Sequence, residues 1–132
     1  MGSSTASPTI PIDGPVILYT CAVASIPARA MGPLLRDVQA HLHAHRQRYA
    51  RRWECAIETP ARAIYLVDPG HWDEVGAALS LGRRQQDAVE RAHRRQLLAA
   101  GRERERREEF QTALEIRTAV VIGTADDAGA TR

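Results

Sequence analysis

Three sets of side chains in this chain have types and spacings that could do chemistry. The stretch "VILYTCAVAS", residues 16–25, runs from an apolar segment into small residues and a hydroxyl, Ser25. A serine at the end of a buried segment is a candidate nucleophile. Further on, "RRQQDAVERAHRR" carries Arg84, Arg91, Arg94 and Arg95. On a helix these form a charged face that either stays solvated or meets an anion, which the planar guanidinium fork suits. The third set is "HLHAHR", in which His41 and His45 are four apart and could share a metal ion on a helix. However, His43 points away and Asp37 is the only acidic candidate, so boundary histidines are the simpler reading and no metal site is expected. His71, Trp72 and Asp73 open a later helix, where a Trp anchor and an acid near the helix N-terminus explain them without catalysis.

The elements that must position these groups can be read from periodicity and breakers. Residues 1–14 are rich in Ser, Thr, Pro and Gly and are expected to be a flexible lead-in. "VILYTCAV" is an apolar run without alternation, which predicts a strand covered on both faces. "SIPARAMGP" then reads as a loop, Pro27 and Pro33 forbidding an early helix. From about 34 to 51, Leu34, Leu35, Val38, Leu42 and Tyr49 recur at helical spacing, with Met31 extending the stripe. "WECAIET" alternates as a strand does, and "AIYLVDPG" is a further extended piece ending in a turn. Trp72, Val75 and Leu79 mark a helix that Gly82 stops. Residues 83 to about 117 contain no Pro and read mostly as helix, with breaks near Asp87–Val89 and Gly101 left open. "AVVIG", 119–123, is a last buried strand, and 124–132 a disordered tail. Helices alternating with apolar strands predict a single three-layer α/β domain, residues 15–123, with a mainly parallel sheet.

Bulk properties bound the rest. The 132 residues suffice for one domain with one modest core. All 18 basic residues are Arg, which suits phosphate or carboxylate recognition but also matches GC-rich coding bias. A net charge of +2 is too small to demand a nucleic-acid partner. Cys21 and Cys55 fall in predicted strands without CxxC spacing and are expected as buried reduced thiols. No apolar run approaches the roughly 20 residues of a bilayer span, and no signal peptide is evident. A cytoplasmic location without a membrane partner is therefore expected.

The order of landmarks resembles the catalytic domain of the serine recombinases, the resolvase and invertase family. "YTCAV" stands where that family has Tyr-x-Arg-Val-Ser, "RRWECAIE" where its second strand opens, and "LVDPG" at its Asp-Gly turn. "ERAHR" supplies Arg91 and Arg94 at the spacing of the family's Asp-Arg-Leu-x-Arg motif, with Glu90 for the Asp. Tyr19 matches, whereas Cys21 replaces an Arg and Val23 stands where the nucleophilic Ser belongs, Ser25 lying two residues on. The resemblance implies a DNA phosphodiester as target, a Ser attacking phosphorus and Arg residues neutralising the transition-state charge. Since Val23 cannot attack and about 1 Å of displacement can cost about 100-fold, a catalytically impaired relative is expected.

The resulting expectation is an accessory domain that binds a protein partner or the DNA backbone, with neither cofactor nor metal. The DNA-binding set is Arg84, Arg91, Arg94 and Arg95, and binding through phosphates alone is non-specific and salt-sensitive. Two alternatives stay open: an active strand-exchange or nicking domain using Ser25 with Arg91 and Arg94, and a non-enzymatic interaction protein. For the latter, the charged helix of residues 95–115, including "RERERREE", would project and mediate a homodimer or hold a partner.

Overall fold

A three-residue link, Thr59, Pro60 and Ala61, decides the topology of the sheet. On either side of it lie β1 (Glu54–Glu58) and β2 (Arg62–Val67), paired antiparallel with Glu54 opposite Leu66 and Glu58 opposite Ala63. The Thr59 hydroxyl accepts from the backbone N–H groups of Ala61 and Arg62, each at 3.1 Å, and so builds the turn. A parallel crossover needs a dozen or more residues, so this link can join only antiparallel neighbours. On the far side of β2, β3 (Thr118–Gly123) is antiparallel too, Arg62 facing Gly123 and Val67 facing Thr118. The computed structural model describes residues 10–124. Residues 1–9 of the expected lead-in, and the expected tail beyond 124, lie outside the described residues.

The expected three-layer domain with a mainly parallel sheet is therefore corrected. Among the described residues six helices accompany a small antiparallel sheet in the order β1-β2-β3: α1 (Gly14–Ala24), α2 (Ala28–Ala44), α3 (Arg46–Arg52), α4 (His71–Ala78), α5 (Arg83–Glu103) and α6 (Arg107–Ala113). The segment expected as the first strand is α1. A short apolar run looks alike as a buried strand or as a helix apolar all round, and Pro15 in the first turn is a helix-start signal. Asp13 precedes it in extended backbone. Thr20, a residue that favours strands, turns its hydroxyl back to the Val16 carbonyl at 2.8 Å, the local bond that lets such a residue sit inside a helix. Pro27 and Pro33 do not exclude helix either. Pro27 is the extended residue before α2, and Pro33 forfeits one bond to the exposed Arg29 in the first turns.

The chain from 83 onward is helical through Asp87–Val89 and Gly101, then folds back instead of projecting. After α5 the backbone turns at Glu105, which has a positive φ of 60°, and α6 returns against α5. Gly101 permits this: a Cβ there would stand 2.6 Å from Cδ2 of Phe110. Leu97, Phe110 and Leu114 are consequently buried within the chain.

The outer edge of β3 carries the most polar part of the core. An edge strand leaves every second residue's N–H and C=O unpaired, and buried they would each cost on the order of 1–3 kcal/mol. Side chains from three helices satisfy four of them. Trp72 Nε1 donates to the Ala119 carbonyl at 3.0 Å, and His93 Nδ1 accepts from the Val121 N–H at 2.9 Å. Gln39 holds two more, donating Nε2 to the Val121 carbonyl at 3.1 Å and accepting the Gly123 N–H at 2.7 Å. Beside the Gly123 end of the seam, Asp13 bonds Gln96 of α5 and Arg62 of β2, both at 3.0 Å, tying α1 to helix and sheet.

Candidate functional site

The residues singled out by the sequence occupy helices α1 and α5. Ser25 is not at a strand tip; it is the exposed residue that ends α1, in left-handed backbone (φ 58°, ψ 43°). Arg91 and Arg94 lie on α5, which packs beside α1. Among the described residues no hydrogen bond or ion pair joins Ser25 to either. Arg84 and Arg91 are exposed, while Arg94 and Arg95 are half-buried, Arg95 stacking its guanidinium 3.8 Å from the Tyr19 ring centre. Cys21 is half-buried on α1 and Cys55 exposed on β1, both free, rather than buried in two strands.

A different set of groups converges on one cavity. It measures about 280 Å³ and lies where the end of α2, α3 and α4 meet. The helical run through α2 and α3 presents His41, His45, Arg48 and Arg52 at steps of four, three and four residues, which keeps them on one face. From α4, the first-turn His71 and Glu74 close the other side. Tyr49, buried through the apolar stripe it shares with Leu42 and Val38, directs only its hydroxyl outward. Trp53, one residue past α3, stands edge-on to His71 with ring centres 5.8 Å apart.

Hydrogen bonding fixes the protonation pattern. The Tyr49 hydroxyl meets His71 Nε2 at 2.5 Å, and His71 Nδ1 faces Glu74 Oε1 at 3.7 Å. A lone pair on Nδ1 would point at a carboxylate, so the proton sits on Nδ1 and Nε2 accepts from Tyr49. Burial lowers the pKa of His71, opposed by Glu74 and reinforced by Arg52, so the ring is neutral at pH 7. Burial, with Glu74 adding to it, pushes Tyr49 up to about 12. Its hydroxyl is thus a standing donor and never a phenolate nucleophile near neutrality. His41 is also lowered by burial and by His45. His45 donates Nδ1–H to the His41 carbonyl at 2.8 Å.

The charge in this cleft is unbalanced. Arg48 and Arg52 are one helical turn apart, a like-charge spacing that costs a few tenths of a kcal/mol. Among the described residues neither forms an ion pair, although Arg52 lies 4.8 Å from the Trp53 ring centre. No group of three or more His, Cys, Asp or Glu among the described residues could hold a metal ion. The arrangement can bind, orient and hydrogen-bond an anion. The histidine pair was visible in "HLHAHR", but its companions Tyr49 and His71 are 22 residues apart and carry no motif.

A family model described as "Domain of unknown function (DUF8048)" matches residues 10–124, and the chain belongs to that family. No curated protein and no solved structure matches it.

Proposed function

We propose that this DUF8048 domain binds a small organic anion in the cleft between α3 and α4. Arg48 and Arg52 take the carboxylate or phosphate of the ligand. The neutral rings of His41 and His71, with His45 and Trp53, accommodate a planar or hydroxylated body. The observation that carries the reading is the pair of arginines without carboxylate partners on a cavity whose one carboxylate, Glu74, is turned to His71. Sites for drug-sized ligands begin at roughly 300 Å³. This cavity, at about 280 Å³, is just smaller, which favours a metabolite-sized guest.

The reading is of binding, not of strand exchange. The recombinase resemblance sets Tyr19 to Ser25 on a strand that leads to a reaction centre, and that segment is α1. Tyr49 and His71 are held in the forms that orient a ligand, and nothing in the cleft offers an activated nucleophile. Titration with inorganic phosphate and with citrate tests this, followed by the thermal midpoint and by the ring resonances of His71. A rise in midpoint lost in Arg48→Ala and Arg52→Ala, with shifts at His71, supports the proposal. Anion binding that survives both substitutions rejects it.

A further inference from the structure

Helix α1 contains no charged residue, yet half of it is on the surface. Leu18 is 65% exposed, Tyr19 46% and Val23 44%. Together with Ala22 and Pro15 they make an apolar ridge. Beside it, Arg84, Arg91, Arg95 and Arg102 follow one another along α5 at steps of seven, four and seven residues. At 3.6 residues per turn these steps keep all four on one line about 27 Å long. Two of the three carboxylates of α5 are engaged elsewhere, Asp87 with Arg83 and Glu90 with the Thr118 hydroxyl, which leaves only Glu103 beside the end of the line. The stack of Arg95 on Tyr19 joins the cationic line to the apolar ridge, so the two form one continuous surface. Between them runs a groove of about 430 Å³, lined by Arg95, Arg102 and Arg107 over Leu98 and Ala99, with Glu103 at its side. The Nε of Arg107 is buried and has no hydrogen-bond partner.

We infer that this face docks on an anionic lipid surface, with the α1 ridge entering the headgroup–acyl boundary and the α5 arginines taking lipid phosphates. Apolar insertion and electrostatic attraction together are what an interfacial helix needs. A nucleic acid would engage the arginines but leave Leu18 and Val23 against water. A second copy related by a two-fold axis would bring one arginine line toward the other, which like charges oppose. Among the described residues no single helix is long and apolar enough to cross a membrane. The inference is independent of the α3–α4 cleft.

Cosedimentation with phosphatidylserine–phosphatidylcholine vesicles, against phosphatidylcholine alone, tests it. Binding is expected only to the anionic vesicles, falling with salt and by about fivefold for each of Arg84→Ala, Arg91→Ala and Arg102→Ala. Leu18→Glu should abolish it while the far-ultraviolet spectrum and thermal midpoint stay unchanged, with Leu18→Ser as the milder second variant. Absence of binding at low salt overturns the inference, as does binding indifferent to Leu18 or to the arginines. Retention of a short DNA duplex, insensitive to Leu18→Glu and stronger than retention of vesicles, assigns the arginine line to nucleic acid instead. A dimer dispersed by Leu18→Glu, without vesicle binding, assigns the ridge to self-association.

Discussion

Two histidines, His93 at the β3 edge and His71 in the cleft, are both held below the ordinary imidazole pKa by burial. Their surroundings differ in what remains unsatisfied. His93 is wholly enclosed, with Nδ1 taken by the Val121 amide and its ring against Trp72 at 4.8 Å between centres. Around it Gln39 and Trp72 take three more backbone groups of the edge. His71 is equally well oriented, by Tyr49 and Glu74, but it faces an open cavity flanked by two cations without anionic partners. A buried polar cluster that closes on itself specifies a fold; one that ends at a cavity with charge left over specifies a ligand. Perturbed titration alone does not separate them.

The largest effect that would break this contrast lies at the edge. Gln39→Leu leaves the Val121 carbonyl and the Gly123 N–H without partners. It should cost about 2–5 kcal/mol in urea unfolding, since each orphaned group costs about 1–3 kcal/mol. A loss under about 0.5 kcal/mol would mean that the seam is not structural.

Acid should probe His93 next. Its folded-state pKa is lowered to about 3, so the neutral ring favours the fold fully above the unfolded value near 6.5. As pH falls from there toward 3, stability should drop by about 1.4 kcal/mol per unit. His71, lowered in the same direction, adds to the slope. In His93→Leu the slope below pH 6.5 should flatten, while stability at pH 7 falls by about 1–3 kcal/mol through the abandoned Val121 N–H. An unchanged slope would contradict the assignment of a neutral ring.

The cleft should respond in the opposite sense. His71→Phe removes one part-buried hydrogen bond, for about 0.5–1.5 kcal/mol, and should leave phosphate binding by the two arginines measurable by calorimetry. Arg48→Ala and Arg52→Ala should move stability by less than about 0.5 kcal/mol and raise it if either way, because a like-charge pair is relieved. The same substitutions should remove the anion response. Calorimetry on these two sets separates a sealed seam from a binding cleft directly.

Much of the helical core is legible in the sequence. Leu34, Leu35, Val38, Leu42 and Tyr49 are all buried as their spacing implies, as are Trp72 and Val75. The extended segments at "WECAIET", "AIYLVDPG" and "AVVIG" are β1, β2 and β3. Their antiparallel pairing escapes a reading by pattern because the apolar run of α1 looks like a strand. Without that strand, the alternation of strand and helix that implies parallel crossovers disappears. The edge seal is not legible, since Gln39, Trp72 and His93 come together only through tertiary structure. For the cleft, half the signal lies in the four-residue spacing of His41 and His45; the other half depends on α4 folding back over α3.

The β3 seam has a kinetic consequence. Its four hydrogen bonds connect residues between 28 and 84 positions apart. Closures over such distances in the chain slow the search for the native state. Once they are made, the last strand cannot peel off alone, because doing so strands hydrogen-bonding groups of α2, α4 and α5 together. The amide hydrogens of Val121 and Gly123 should therefore exchange with solvent only when the whole domain opens, making them the slowest reporters of its cooperative unit.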